Sequence, residues 1–356
     1  MMKTKQIRKK DIRRILVIKM RYIGDNVLVT PLLKALKNGY PDADIDVLTN
    51  KGTHQVFSGN PFVRDILPFD YSVSKEKPWY ALRFIARLRH KAYDMAIDLT
   101  NNDRTSFFTL MSDARLRIGY ETRHFFRNRL SYSIRISSRL GILHMTDRHL
   151  EVAEALELPV EDRHPFIHVS PEKIREIEDI LSVSDVEKET PFVVMHPGAR
   201  RWYKSWPSDR FAKLADAIIR EYGVTVILSG SAADQPACSA IRENMEEQAV
   251  SLAGQIPLSA LPALIRKGLC LIGNDSAPIH VASAVSTPAI ALFGPTEWEA
   301  WAPRREHDKV LAAEFPCRPC GHSRPDCPLG RQDYCMSAIT FEQVWAAVKD
   351  TLTKAR

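Results

Sequence analysis

Four stretches of the chain combine residue types at spacings that could do chemistry. Gly24-Asp25 lies in a loop after the apolar run Arg14-Ile-Leu-Val-Ile-Lys-Met20 and before an apolar-periodic stretch ending near Asn38. A carboxylate in such a strand-to-helix loop can accept a proton from a bound hydroxyl and serve as a general base. It can equally cap the helix, as can Asn26. The second stretch is Ile272-Gly-Asn-Asp-Ser-Ala-Pro-Ile-His280. Gly273 permits a tight turn and Pro278 suits a first helical turn. The amides around Asp275, Ser276 and Ala277 read as a phosphate site or as the start of a well-capped helix with nothing bound. His280 reads either as a ligand contact or as a buried structural histidine.

The third stretch, His196-Pro-Gly-Ala-Arg-Arg-Trp-Tyr-Lys-Ser-Trp-Pro207, sets Arg200, Arg201 and Lys204 among Trp202 and Trp206. Gly198 lets the backbone approach a ligand closely. A cation here would neutralise charge developing on a departing diphosphate. Thr296, at the end of Phe293-Gly-Pro-Thr296, lies in a turn that could close over the same ligand. The fourth stretch holds Cys317, Cys320, Cys327 and Cys335 in the pattern C-x2-C-x6-C-x7-C. That is compatible with tetrahedral zinc or an iron–sulfur site but matches no standard spacing closely. A reduced cysteine-rich loop without metal is the preferred reading. The overlapping D-x-D triplets of Asp42-Ala-Asp-Ile-Asp46 fall at the amino end of a strand, the wrong edge for a metal–diphosphate site.

These loops need a scaffold, and the pattern supplies one. Strands are expected at Arg14–Met20, Ile45–Thr49, Val63–Pro68, Met95–Leu99 and Leu116–Tyr120, with helices between most of them. A second run starts at Phe192 and alternates strand and helix through Gly294. Such alternation predicts an α/β protein with two doubly wound, Rossmann-like domains facing each other across a cleft. The expected boundaries are 1–168, a linker region 169–190 that holds one helix from Pro171 to Leu181, and 191–356, the last carrying the cysteine-rich tail (317–335) and a terminal helix. In open parallel sheets ligands sit beyond the carboxyl ends of the strands, which is where the first three stretches fall. There is no G-x-G-x-x-G after the first strand and no P-loop, so a dinucleotide oxidoreductase or a nucleoside triphosphatase lacks its main support.

The chain has 356 residues and a formal net charge of +7, split unevenly: residues 1–150 carry +14 and the remainder −7. The basic half points to an anionic partner, whether nucleic acid, an anionic lipid surface or a phosphorylated glycolipid, the alternative being a basic surface that is simply solvated. Trp79 to Tyr93 reads as a basic amphipathic helix with Trp79, Leu82, Ile85 and Leu88 in one stripe, packed on a core or lying on a membrane surface. No apolar run is long enough to span a bilayer and the basic start lacks a signal-peptide core, so secretion is not expected. Six cysteines in this length argue for a reducing compartment.

The segments KMRYIGDNVLVTPLLKALKNGYPDADIDVL, HPGARRWYKSWPSDRF and GNDSAPIHVASAVSTPAIALFGPT together resemble the ADP-heptose:lipopolysaccharide heptosyltransferases of glycosyltransferase family 9, most closely the heptosyltransferase III type. The resemblance covers about residues 13–300. It implies a GT-B fold, with an acceptor domain followed by a nucleotide-sugar domain, and an inverting transfer of heptose from ADP-heptose to the lipopolysaccharide inner core. It puts the catalytic aspartate on Asp25, the donor-phosphate lysine on Lys204, and the Asp-x-small tripeptide that meets heptose and diphosphate on Asp275, Ser276 and Ala277. More loosely, it puts a ribose-holding acid on Asp234. Arg21, Arg117, Arg123 and Arg127 become candidates for the acidic groups of the acceptor. The implied partners are an ADP-sugar and an anionic glycolipid, with no cofactor required and no nucleic acid. The implied location is the cytoplasm, with peripheral contact at the inner membrane. The alternatives kept open are a GT-B transferase using another nucleotide sugar and a nucleic-acid-binding protein using the basic half.

Overall fold

The computed structural model describes residues 11–124, 126–138, 143–320, 326–330 and 334–355. The chain divides into two units between His168 and Val169.

In the first unit the strands are β1 (Arg14–Ile18), β2 (Asp44–Asn50), β3 (Asp65–Phe69), β4 (Met95–Asp98), β5 (Leu116–Tyr120) and β6 (Ile134–Ile136). They pair in parallel in the order β3-β2-β1-β4-β5-β6. Ile15, Leu16, Val17 and Ile18 of β1 have no exposed surface. Ile15 and Val17 enter the apolar cluster on one face, Leu16 and Ile18 that on the other. This is the unbroken apolar pattern of a parallel strand covered on both sides. The helices are α1 (Ile23–Val27), α2 (Thr30–Gly39), α3 (Tyr71–Glu76), α4 (Pro78–His90), α5 (Asp103–Met111) and α6 (Met145–Ala155).

One expectation for this unit changes. The buried residues of α4 are Phe84 and Leu88, joined by Tyr80 and Ile85 at the edge, while Trp79 and Leu82 stand in solvent at 51% and 68% exposure. A stripe drawn at every third residue drifts about 60° per step on a 3.6-residue helix, so Trp79 and Leu88 end on opposite sides. Phe84 fixes the rotation by packing against Phe69 and Phe108. The D-x-D segment is structural: Arg64 pairs with both Asp44 and Asp46, and the buried Asp46 also accepts from Lys91 and Tyr93.

The second unit opens with α7 (Pro171–Val183), then β7 (Phe192–His196), α8 (Ser208–Tyr222), β8 (Thr225–Leu228), α9 (Gln235–Glu243), β9 (Val250–Ser251), α10 (Leu261–Lys267), β10 (Leu271–Asn274), α11 (Ala277–Ala284), β11 (Ala289–Phe293), α12 (Trp298–Trp301), β12 (Lys309–Ala312) and α13 (Phe341–Ala355). Residues 169–190, expected to link the units, belong to this one. Ile177 and Leu181 of α7 are buried, and Glu178 pairs with Lys267 of α10. The parallel sheet runs β12-β11-β10-β7-β8-β9. Renumbered within the unit, that is the first unit's order read backwards. Both sheets therefore reverse direction between their first and fourth strands, β1 and β4 in one, β7 and β10 in the other. That reversal opens a crevice at the carboxyl ends of those strands.

Candidate active site

The carboxyl end of β1 carries the first group of polar residues. Asp25 is the third residue of α1, inside the helix and not at its cap. Its neighbour Asn26 is buried and bonds Thr49 and Thr53, which anchors the turn to β2. The Lys19 ammonium, buried at the end of β1, lies 3.5 Å from Asp25 Oδ1 and 3.0 Å from His149 Nε2. Burial pulls the Lys19 pKa down to about 8 against the opposing pull of Asp25, and Arg21 and Arg148 lower it further. His149 is held well below its ordinary pKa by burial and by the Lys19 charge.

The arginines assigned to the acceptor separate in space. Arg21 is exposed three residues beyond β1, beside this group. Arg117 sits near the amino end of β5, where its guanidinium bonds the carbonyls of Ser131 and Ala114. It ties β5 to the following turn and lies away from the carboxyl edge. Arg123 is exposed on the loop after β5, and the side chain of Arg127 lies outside the described residues. Arg148, absent from the sequence reading, stacks its guanidinium 5.0 Å over the Tyr120 ring.

At the carboxyl ends of β7 and β10 the second unit gathers Lys204, Asp275 and Thr296. Lys204 Nζ is 2.7 Å from Asp275 Oδ2, and the Thr296 hydroxyl donates to that same oxygen. Asn274, fully buried, explains why the lysine loop comes to this place. Its Oδ1 accepts from the Trp206 amide at 2.9 Å and its Nδ2 donates to the Pro197 carbonyl at 2.7 Å. Ser276 occupies the N-cap position of α11, but its hydroxyl turns back to the Asn274 carbonyl and does not cap the helix. Ala277 starts the helix and Pro278 fills its first turn. His280 is buried within α11.

Gly198 lets the Asp234 carboxylate approach the backbone: a Cβ there would lie 2.4 Å from Asp234 Oδ1 and would push that side chain aside. Asp234 in turn accepts from the Ser231 amide and hydroxyl. His196, beside Ser229, is lowered to about 4 by burial, with Asp234 pulling the other way. Arg200 is exposed on the loop between β7 and Lys204. Trp206 is buried and bonds the Ile339 carbonyl, and Trp202 bonds Asp326.

The cysteine-rich segment packs against this group. Cys320 donates its amide to the Pro295 carbonyl, and Arg318 bonds the Thr296 carbonyl. Cys317 and Cys320 have their sulfurs 3.9 Å apart, and Cys335 is buried with its thiol pushed up to about 11 by burial. Among the described residues no three His, Cys, Asp or Glu side chains converge on a point that could hold a metal ion.

Two Rossmann-like units of matching strand order make up the GT-B fold, and each carries a Lys–Asp pair at its reversal point. The family model for glycosyltransferase family 9 (heptosyltransferase) matches residues 81–328. Lipopolysaccharide heptosyltransferase 3 of Escherichia coli K12 is 32% identical over 345 residues, 94% of this chain and 96% of that one. The structure of E. coli ADP-heptose lipopolysaccharide heptosyltransferase II superposes with a TM-score of 0.78 at 25% identity, covering 96% of this chain and 99% of that chain. The family 9 glycosyltransferase of Veillonella parvula superposes at 0.84 with 24% identity, over 98% and 99%. This chain belongs to glycosyltransferase family 9 and is a transferase.

Proposed function

We propose that this enzyme transfers heptose from ADP-heptose to an anionic acceptor of the lipopolysaccharide inner core, with inversion at the anomeric carbon. Asp25 removes the proton from the acceptor hydroxyl as that oxygen attacks C1. The bond from C1 to the β-phosphate oxygen breaks, its electron pair leaving with ADP. Lys204 and the first-turn amides of α11 neutralise the charge that gathers on the diphosphate. Asp234, beside Gly198, holds the adenosine ribose, and Arg21, Arg123 and Arg148 meet the acid groups of the acceptor.

The observation that carries this reading is the Lys204–Asp275–Thr296 cluster at the start of α11, a cation fixed beside a helix N-terminus at the reversal point of the sheet. The relatives named for lipopolysaccharide heptose transfer, one of them named for ADP-heptose, support the donor and acceptor. The decisive test is a calorimetric panel of ADP, UDP, GDP and their sugars. ADP and ADP-heptose are expected to bind most tightly. Preference for a uridine or guanosine nucleotide would overturn the donor.

The acceptor is a glycolipid, so we place the enzyme at the cytoplasmic face of the inner membrane. No described helix is long and apolar enough to cross a bilayer. The exposed face of α3, α4 and α5 suits surface contact instead. Tyr71, Trp79, Leu82 and Phe107 stand in solvent beside Lys75, Lys77, Arg83 and Arg104. Arg104 and Arg83 stack on Tyr71 and Trp79. Aromatic and cationic side chains together favour an anionic interface. Cosedimentation with vesicles containing phosphatidylglycerol, and not with neutral ones, is expected; equal partitioning would remove the membrane role.

A further inference from the structure

Asp25 rides on a helix of five residues, too short to fix a side chain by its own hydrogen bonds. Lys19 and His149 supply the missing constraint from both sides. Lys19 reaches from the end of β1, with its ammonium 3.5 Å from Asp25 Oδ1, 3.0 Å from His149 Nε2 and 3.5 Å from the Leu99 carbonyl. His149 reaches from α6, and its Nδ1 lies 3.2 Å from the Leu28 carbonyl. A carbonyl only accepts, so Nδ1 carries the hydrogen and Nε2 offers its lone pair to Lys19. The chain of bonds is directional: His149 donates to Leu28, and Lys19 donates to His149 and to Asp25. Leu28 is the residue that closes α1. One histidine therefore grips the end of the helix that bears the carboxylate, and the lysine it orients grips the carboxylate itself.

Fold stability alone does not account for this arrangement. Lys19 is 2% exposed and His149 1%, and a buried ammonium is costly where an apolar residue could pack. We propose that Lys19 and His149 are positioning residues that hold the Asp25 carboxylate in the aim needed for proton abstraction, and that only the ammonium form of Lys19 does so. This rests on the reading of Asp25 as the base. The charged and titratable groups around Lys19 are Asp25 and Arg21 on its own loop and His149 and Arg148 on α6, with His144 next to His149. Their net effect puts loss of the Lys19 proton near pH 8.

The test measures kcat and KM of the full-length enzyme against pH, using ADP-heptose and heptose-terminated lipopolysaccharide acceptor. Wild-type kcat is expected to decline above about pH 8, where Lys19 loses its charge. Lys19→Arg keeps the charge and carries that decline to higher pH. Lys19→Met is expected to lose at least tenfold in kcat, keep KM for the donor, and show no decline near that pH, with a thermal midpoint no lower than wild type. His149→Phe is expected to lose kcat severalfold, and His149→Gln, whose carbonyl can accept from Lys19, to recover most of it. A purely structural lysine predicts a lower thermal midpoint and an unmoved pH profile. Wild-type kcat in Lys19→Met, or an alkaline limb that Lys19→Arg does not move, overturns the proposal; the arginine result decides should the methionine variant not fold. Asp25→Asn, measured alongside, separates the two levels. Retained turnover there sinks the base itself, whereas an inactive Asp25→Asn beside a fully active Lys19→Met sinks the positioning role alone.

Discussion

The Lys19–Asp25 pair of the first unit and the Lys204–Asp275 pair of the second occupy the same place in two sheets of the same strand order, yet they are built in opposite senses. In the first, the lysine side chain is 2% exposed and the aspartate 15%, with 3.5 Å between them. In the second, the lysine is 16% exposed and the aspartate 10%, at 2.7 Å, and Thr296 bonds the same aspartate oxygen. The first pair buries its cation and presents a carboxylate. The second backs its carboxylate with a hydroxyl and presents an ammonium. The roles proposed for Asp25 and Lys204, proton acceptor and diphosphate holder, call for these two different faces, which one topology supplies by changing how deeply the lysine is buried.

Substitutions can break that comparison at its ends. Asp25→Asn keeps shape and removes basicity; turnover is expected to fall by about 10²–10⁴-fold. ADP binding by calorimetry should hardly change, because nothing in the second unit is altered. Lys204→Ala should act in the other direction. It removes the presented charge and should cost about 3 kcal/mol of transition-state stabilisation, with ADP affinity reduced as well. A Lys204→Ala variant with unchanged ADP affinity would show that the ammonium faces something other than the diphosphate. The burial contrast can be read by linkage. The folded-state pKa of Lys19 is lowered from 10.5 to about 8, so between these values the unfolded chain binds more protons and stability rises with pH. The stability advantage of Lys19→Met over wild type is therefore largest below pH 8. It should shrink by about 3 kcal/mol as pH passes 10.5, as measured by urea unfolding across that range.

The sequence disclosed the scaffold well because β-branched runs such as Arg14–Ile18 and Phe192–His196 are buried on both faces, and no other role suits them. It also located the loops that bear Asp25, Lys204 and Asp275, since turn glycines and a first-turn proline mark them. Two edge strands escaped, β6 and β12, whereas the edge strand β3 was legible. The three residues Ile134–Ile136 carry too little pattern to separate from a loop. The helix expected from Pro171 to Leu181 is present, but its few buried residues gave no sign that it packs on the second unit. The supporting residues of the site escaped for another reason. Lys19 ends a strand as any solvated lysine would, and His149 lies 130 positions away. Nothing local announces that they meet. Asn274 is similar: its two bonds run to Trp206 and Pro197, 68 and 77 positions distant. Arg117 misled in the opposite sense: as the second residue of the strand expected at Leu116–Tyr120 it belonged to the amino edge, and its charge outweighed that sign.

Asn274 offers the next test. Asn274→Ala leaves the Trp206 amide and Pro197 carbonyl without their partner in a buried place, which should cost about 1–3 kcal/mol of stability. It should also loosen the Lys204 loop, seen as weaker ADP binding. The smallest effect is expected at Thr296. Thr296→Val keeps the volume of a side chain that is 2% exposed and deletes the hydroxyl that bonds Asp275. The bond from the Arg318 guanidinium to the Thr296 carbonyl is untouched, so the turn itself should persist. What changes is the constraint on Asp275, and through it the aim of Lys204, at a cost of about 1 kcal/mol. A fall of about fivefold in ADP affinity, with the thermal midpoint close to wild type, would mark Thr296 as the counterpart in the second unit of His149 in the first. An unchanged affinity would mean that Asp275 alone fixes the lysine and that the two pairs are less alike than their placement suggests.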